Sequence, residues 1–272
     1  MTIIRFLFKF VFRIIIYILG ILPFCIVITL DLNPINKISL LLISFLLAPF
    51  LIIIFTALCI RLSPAVNSGK HKVFSREFVR WFLKDTLSDI ILSSSFLNNL
   101  RNRIDFLRFI YYKIIGMNPP KGMIMASDVT ILDPDRFQFG ENVFLGYKTM
   151  ISGHFVKSGK LYLPQGNIGN NTKVGAKCNI ANGVKIGDHV QIGFGVSIGV
   201  ECIIEDGAVI HDAAIVDDHA VISKNTIIGK KTIIGRKSRV GHNVYIGNYS
   251  TIGSNVVIED GTKLPELTII KK

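Results

Sequence analysis

From Ile168 to Leu264 a branched aliphatic residue or leucine returns at every sixth position, 17 times in succession. Neither a helix, with a repeat of 3.6, nor a simple strand, with a repeat of 2, has that period. A short strand followed by a tight corner does, and fixed-period self-similarity is the mark of a solenoid. The fifth residue of each block is small or β-branched, from Thr172, Cys178 and Val184 through to Ser250 and Val256. Heads and fifth residues together suit a narrow interior. Gly often follows the head, as expected where a corner crowds the backbone or needs unusual dihedrals. Three blocks make a triangular coil of 18 residues. At about 4.8 Å per coil, about six coils give a rod of roughly 29 Å. The frame predicts that Ala208 and Ala214 point inward and reject large residues. Asp206 and Asp212 fall outside the inward set and are expected to tolerate Lys.

An earlier set of heads, Phe139, Leu145 and Ile151, keeps the same spacing, but the step from Ile151 to Ile168 is not a multiple of six. The stretch Ser152–Gly166 therefore leaves the coil as a loop, with His154 at its base. Chemistry is expected at this break, because an unbroken rod offers only a scaffold.

The front of the chain has a different pattern. Ile14–Leu30 and Ile38–Ile60 carry no charge, and about 20 apolar residues suffice to span a bilayer as a helix. The polar link between them is short, so residues 1–62 read as a transmembrane hairpin, with Pro23 and Pro49 inside the spans. A re-entrant hairpin is the alternative. Arg5, Lys9 and Arg13 precede the first span and Arg61, Lys70 and Lys72 follow the second. Lys and Arg stay on the cytoplasmic side, so the reading is a multi-pass inner-membrane protein with its β-helix in the cytoplasm. Residues 63–116 read as a basic linker at the membrane interface with two amphipathic helices. One runs from about Arg76 to Ile91 behind a Ser75 cap, the other from about Phe96 to Ile115, ending at Gly116. Trp81, Phe82, Phe106, Phe109, Tyr111 and Tyr112 lie among their cations, a composition that favours a bilayer surface. Packing against the rod or a second subunit is the other reading.

The chain has 272 residues, half of them hydrophobic, and a net charge of +12. The positive excess gathers in the first 116 residues, which points to anionic lipid headgroups. No base-reading motif accompanies it, so nucleic acid is not expected as a partner. Cys25 and Cys59 lie in the spans and Cys178 and Cys202 at inward positions, with no CxxC or metal spacing. No metal is expected.

The [Ile/Val]-Gly-x-x-x-x blocks of residues 117–272 resemble the hexapeptide-repeat transferases, whose coils wind as a left-handed parallel β-helix. The layout is similar to the galactoside and maltose acetyltransferases and to the transferase-like domains of polylysine synthetases. The matching residues are Arg108-x7-Gly116, Ile131-Leu-Asp-Pro134, Gly140-Glu-Asn142, then His154 before an extruded loop and resumption at Ile168-Gly-Asn-Asn171. The resemblance implies an acyltransferase in which His154 is the general base, the acceptor attacks an acyl thioester directly, and trimers share the site between subunits. The donor is expected to be acetyl-CoA or another acyl thioester, with a carrier-protein thioester as the variant. The acceptor is expected to be a hydroxyl or amine of a membrane-associated or lipid-linked molecule. The Ile192-Gly-Phe-Gly-Val-Ser197 step keeps Gly193 and Gly195 for the donor's arm but places Phe194 where the simple acetyltransferases have Ala. Lys173 stands where they have Trp.

A basic cluster, Lys230, Lys231, Arg236, Lys237 and Arg239, is expected to converge outside the rod on the donor's phosphates, with Lys230 and Lys231 as its core. A solvated basic face is the plain alternative. His189, His211, His219 and His242 read as solvated. Two rivals remain. A γ-type carbonic anhydrase uses this rod with three histidines; His154 and His189 have part of its spacing, but position 194 is Phe. A non-catalytic scaffold at the membrane needs no His154 at all.

Overall fold

The computed structural model describes residues 2–271, with the side chains of residues 1–6, Phe8 and Lys9 left out. Arg5 and Lys9, used above for orientation, thus lie outside the described side chains. The chain forms two compact units. One is Met1–Val66 with Phe74–Gly116, and the other is Asn67–Val73 with Met117–Lys272.

The first unit is helical. Helix α1 spans Thr2–Thr29 and α2 spans Pro34–Leu62. Asn33 caps α2 by accepting the Asn36 N–H at 2.9 Å, with Pro34 in the first turn where its missing N–H costs nothing. Phe10–Thr29 and Pro34–Leu62 are long and apolar enough to cross a membrane. Helix α3 (Arg76–Leu92) begins at the expected Ser75 cap, whose hydroxyl accepts the Phe78 N–H. The single second helix expected from the sequence is two, α4 (Ser95–Arg103) and α5 (Asp105–Ile114), divided at Ile104 in extended conformation. The break lets Arg108 donate back to the Asn102 carbonyl at 2.6 Å and to Asp105 at 2.6 Å. Arg101 is buried in the same place. It bonds Asn98 and Asn102, and its guanidinium lies 4.8 Å from the Tyr111 ring centroid. Trp81, Tyr111 and Tyr112 are buried here, while Phe96, Phe106 and Phe109 are exposed. Burial pushes the Tyr111 hydroxyl above its ordinary range.

The second unit is a parallel β-solenoid. Its strands, of two or three residues, form three sheets of eight, eight and seven strands. The coil begins earlier than the long repeat, at Ile124–Met125 and Thr130–Ile131, which gives about eight turns. Register is fixed at 18 residues, as in Gln191↔Val209↔Ile227↔Tyr245. Heads and fifth residues fill the interior: Ile186, Ile210, Ile234 and Val240 are buried, as are Cys178, Ala208, Ala214 and Ser250. The polar fifth residues are satisfied in a regular way. Thr172, Thr226, Thr232 and Ser238 each donate a hydroxyl to a second-position carbonyl 15 residues ahead, at 2.6–2.9 Å.

The corners divide the glycine expectation in two. The left-handed conformation belongs to the fourth position. His189, Ala213, His219, Asn225, Lys231 and Tyr249 all have φ between 53° and 58°, and Gly195 and Gly261 have φ of 67° and 69°. The second position needs Gly for space instead. A Cβ on Gly229 would lie 2.6 Å from the backbone of Gly247 and Asn248 in the next coil. The third position is not idle either. Asp188, Asp206, Asp212, Asp218, Asn248 and Asp260 each accept a backbone N–H from the coil before, at 2.6–3.0 Å. Asp206 and Asp212 therefore hold turns together, contrary to the expectation that they would tolerate Lys.

Candidate active site

The chain leaves the coil after the strand Met150–Ile151. Phe155–Lys157 and Lys160–Leu163 form an antiparallel hairpin there, and Gly69–Lys72 joins it as a third strand. The departure is thus an ordered sheet. Its third strand comes from within the stretch read as linker.

His154 sits at the foot of this sheet. Its Nδ1 is 2.5 Å from Asp133 Oδ2, and its carbonyl accepts the Ser152 hydroxyl at 2.9 Å. Both side chains are mostly shielded, at 20% and 12% exposure, which strengthens a polar contact by thinning the water around it. Asp133 reaches the ring from a left-handed backbone (φ 50°, ψ 60°) at the start of the short turn Pro134–Arg136. Gly153 makes room: a Cβ there would lie 2.6 Å from Asp133 Cβ and 2.9 Å from the Leu132 carbonyl. With Nδ1–H donated to the carboxylate, the neutral ring presents its lone pair at Nε2. A ring so placed can take up a proton at Nε2 with the carboxylate behind it facing the charge it gains. The sequence named His154. Asp133 was visible only as part of the Ile131-Leu-Asp-Pro134 motif, without a role.

The three-sheet geometry sorts the other candidates. Gly193, Gly195, Lys230 and Lys231 follow strands of one sheet and share one corner, Lys230 two coils beyond Gly193. Arg236 and Lys237 follow a strand of the second sheet and lie on the next corner, the one from which His154 departs. Arg239 is on a strand of the third sheet. The five cations therefore do not converge, because adjacent blocks face different sides of a triangle. Lys230 Nζ is 3.9 Å from Asp212 Oδ2, and Lys231 Nζ is 5.6 Å from the Tyr249 ring centroid. Around the donor glycines, Phe194 is half exposed, with Lys177 Nζ 5.3 Å from its ring centroid. His189 follows a strand of the third sheet, so it and His154 leave from different corners.

The cysteines of the rod face inward and stay protonated. Burial pushes the Cys178 thiol up and the Cys202 thiol to about 12. Neither has the thiolate character of a nucleophile.

The fold is that of the hexapeptide-repeat β-solenoids, and solved structures of that kind resemble it. One is the acetyltransferase domain of PglB from Neisseria gonorrhoeae FA1090, 17% identical over 62% of this chain and 64% of that one, with a TM-score of 0.33. Another is UDP-N-acetylglucosamine acyltransferase of Francisella novicida, 20% identical over 52% and 56%, TM-score 0.34. PerB from Caulobacter crescentus, solved with CoA and GDP-perosamine, is 12% identical over 64% of each chain, TM-score 0.25. The chain spans about three-fifths of the length of these proteins. No curated protein matches the sequence. Among protein families, residues 167–272 match the profile described as the GMPPB C-terminal domain.

Proposed function

We propose that this protein is a membrane-anchored acyltransferase of the hexapeptide-repeat type, with His154 as its general base and Asp133 as the residue that positions it. The observation carrying this reading is the His154–Asp133 pair, placed where the repeat is interrupted. The acceptor's hydroxyl or amine gives its proton to His154 Nε2 as its oxygen or nitrogen bonds to the thioester carbonyl carbon. The oxyanion so formed needs a donor, which backbone N–H groups of a neighbouring coil can supply. Collapse breaks the C–S bond, and His154 returns the proton to the departing thiolate. The donor is acetyl-CoA or a related acyl thioester, on coenzyme A or on a carrier protein.

Gly193, Gly195, Lys230 and Lys231 lie on a corner that His154 does not share. A donor held there meets His154 only when a second copy sets one corner against the other. This supports a trimer with sites between subunits. The apolar outer faces of α1 and α2 support anchoring in the inner membrane, with a lipid-linked or membrane-delivered acceptor.

The test is thioester turnover by the purified protein. His154→Ala should lower it roughly 100-fold or more while the melting temperature stays put. Turnover equal to the parent's sinks the reading. It would favour a rod that only displays a surface at the membrane, a reading with its own support: the GMPPB C-terminal domain match starts at residue 167, beyond the histidine.

A further inference from the structure

The hairpin sheet lies over the corner above His154, and the two enclose a polar cleft of about 270 Å³. Lys70, Tyr162 and Phe155 are in register across the three strands, so they share a face, and Lys157 is on it two residues further. Phe155 and Tyr162 stack at 4.3 Å with rings 14° apart, and Lys70 Nζ is 5.3 Å from the Tyr162 centroid. The opposite wall is three successive coils of one corner, contributing Glu201, His219 and Arg236.

The cleft holds three cations against two carboxylates. Lys70, Lys157 and Arg236 line it as cations, and none of them forms an ion pair among the described residues. Two carboxylates, Glu201 and Asp218, line it as well, and neither pairs with any of these cations. Glu201 Oε2 is 3.4 Å from His219 Nδ1, and Asp218 Oδ1 accepts the Val200 N–H at 2.8 Å. One positive charge is left in excess, and the three cations, unpaired with either carboxylate, are available to an incoming anion. A phosphoryl group, with its several acceptor oxygens, matches a set of Lys and Arg better than a single carboxylate does. The cleft begins two coils beyond the strand that ends at Ile151 and extends over two more. At about 4.8 Å per coil that is roughly 10–19 Å from the level of His154, a span that a sugar joined to a diphosphate can bridge.

We infer that the cleft between the hairpin sheet and the Glu201–His219–Arg236 corner binds the diphosphate of a substrate whose reacting end lies at His154. The link to His154 rests on the acyl-transfer reading; the diphosphate site itself does not. The diphosphate has two possible sources, a nucleotide-linked acceptor or the donor's coenzyme A. Both present the same chemistry to Lys70, Lys157 and Arg236.

The experiment is calorimetric titration of the full-length protein in detergent with inorganic pyrophosphate. The parent should bind, and Lys157→Gln with Arg236→Gln should weaken binding at least tenfold without lowering the melting temperature. Lys157→Arg with Arg236→Lys should keep most of it. His154→Ala should bind like the parent, so a failure of the catalytic reading leaves this result intact. Displacement of pyrophosphate by UDP assigns the cleft to a nucleotide-linked acceptor; displacement by coenzyme A assigns it to the donor. No binding to the parent at about 10 mM, equal affinity in the Gln variant, or displacement by neither UDP nor coenzyme A overturns the proposal.

Discussion

His154 Nδ1 and Asp133 Oδ2 meet at 2.5 Å across 21 residues of chain, and Asp133 does so from a left-handed turn. Asn tolerates that backbone almost as well as Asp does. Asp133→Asn therefore removes the charge and little else. The imidazolium formed on proton transfer loses its counter-charge, so kcat should fall about 10- to 100-fold, less than in His154→Ala. An unchanged rate would detach Asp133 from the chemistry.

The two kinds of corner glycine should respond differently to one added methyl. Gly229 faces backbone atoms of the next coil at 2.6 Å. Gly229→Ala should cost about 1–3 kcal/mol, since the backbone has nowhere to go. Gly261 has φ of 69° with open space around it. Gly261→Ala should cost about 1 kcal/mol, from the left-handed backbone alone. Tyr249→Gly, at φ 58°, should relieve the same strain and so stabilise the coil. Urea unfolding of the three variants measures this, and equal losses at Gly229 and Gly261 would contradict the division.

Asp206 should make the rod sensitive to acid. The Asp188 N–H, and after it Lys224, hold its carboxyl below the usual range. A carboxyl depressed in the folded state adds stability above its unfolded pKa, about 3.9, and loses it as pH falls through the lower folded value. The gap in melting temperature between the parent and Asp206→Asn should be widest near neutrality and close below about pH 4. Asp206→Lys should cost roughly 1 kcal/mol through the lost N–H bond. A gap that persists at pH 2 would mean the carboxylate is not the cause.

Cys178 and Cys202 should resist alkylation in the folded protein. With its thiol pushed to about 12, Cys202 has roughly one thiolate in ten thousand at pH 8. Because the folded pKa is the raised one, the associated stability is present below about pH 8.5 and is lost as pH climbs toward 12. Mass spectrometry after iodoacetamide treatment should find both cysteines unmodified until denaturant is added. Fast labelling of either in buffer would place it outside the interior.

The period of six was legible because one physical rule repeats it. Each head enters the interior and each corner turns the chain by a third of a circuit, so Ile186, Ile204 and Ile222 are read from spacing alone. The break at Ile151 and the histidine beside it were legible as a failure of that rule. Other features depend on contacts that spacing does not encode. Asp133 is aimed at His154 by a left-handed turn that the surrounding residues do not announce. Lys231 and Arg236 are near in sequence but point to different corners, since each block rotates the outward direction. Asp206 looks like a surface carboxylate until the coil before it supplies an N–H. The split between α4 and α5 at Ile104 follows from burial of Arg101 and Arg108, whose partners lie in packing and not in helical period.

Gly69–Lys72 pairs with Lys160–Leu163, strands separated by nearly 90 residues of chain. A ribosome adding about 5–20 residues per second exposes the first of them several seconds before its partner exists. An unpaired strand is normally a hazard during such a wait, because its open edge invites other chains. This one is Gly-Lys-His-Lys, short and densely cationic, so it repels its own kind until Lys160–Leu163 arrives. The sheet beside His154 is therefore completed late in synthesis, and a chain shortened to begin at Met117 would carry its hairpin with one edge bare.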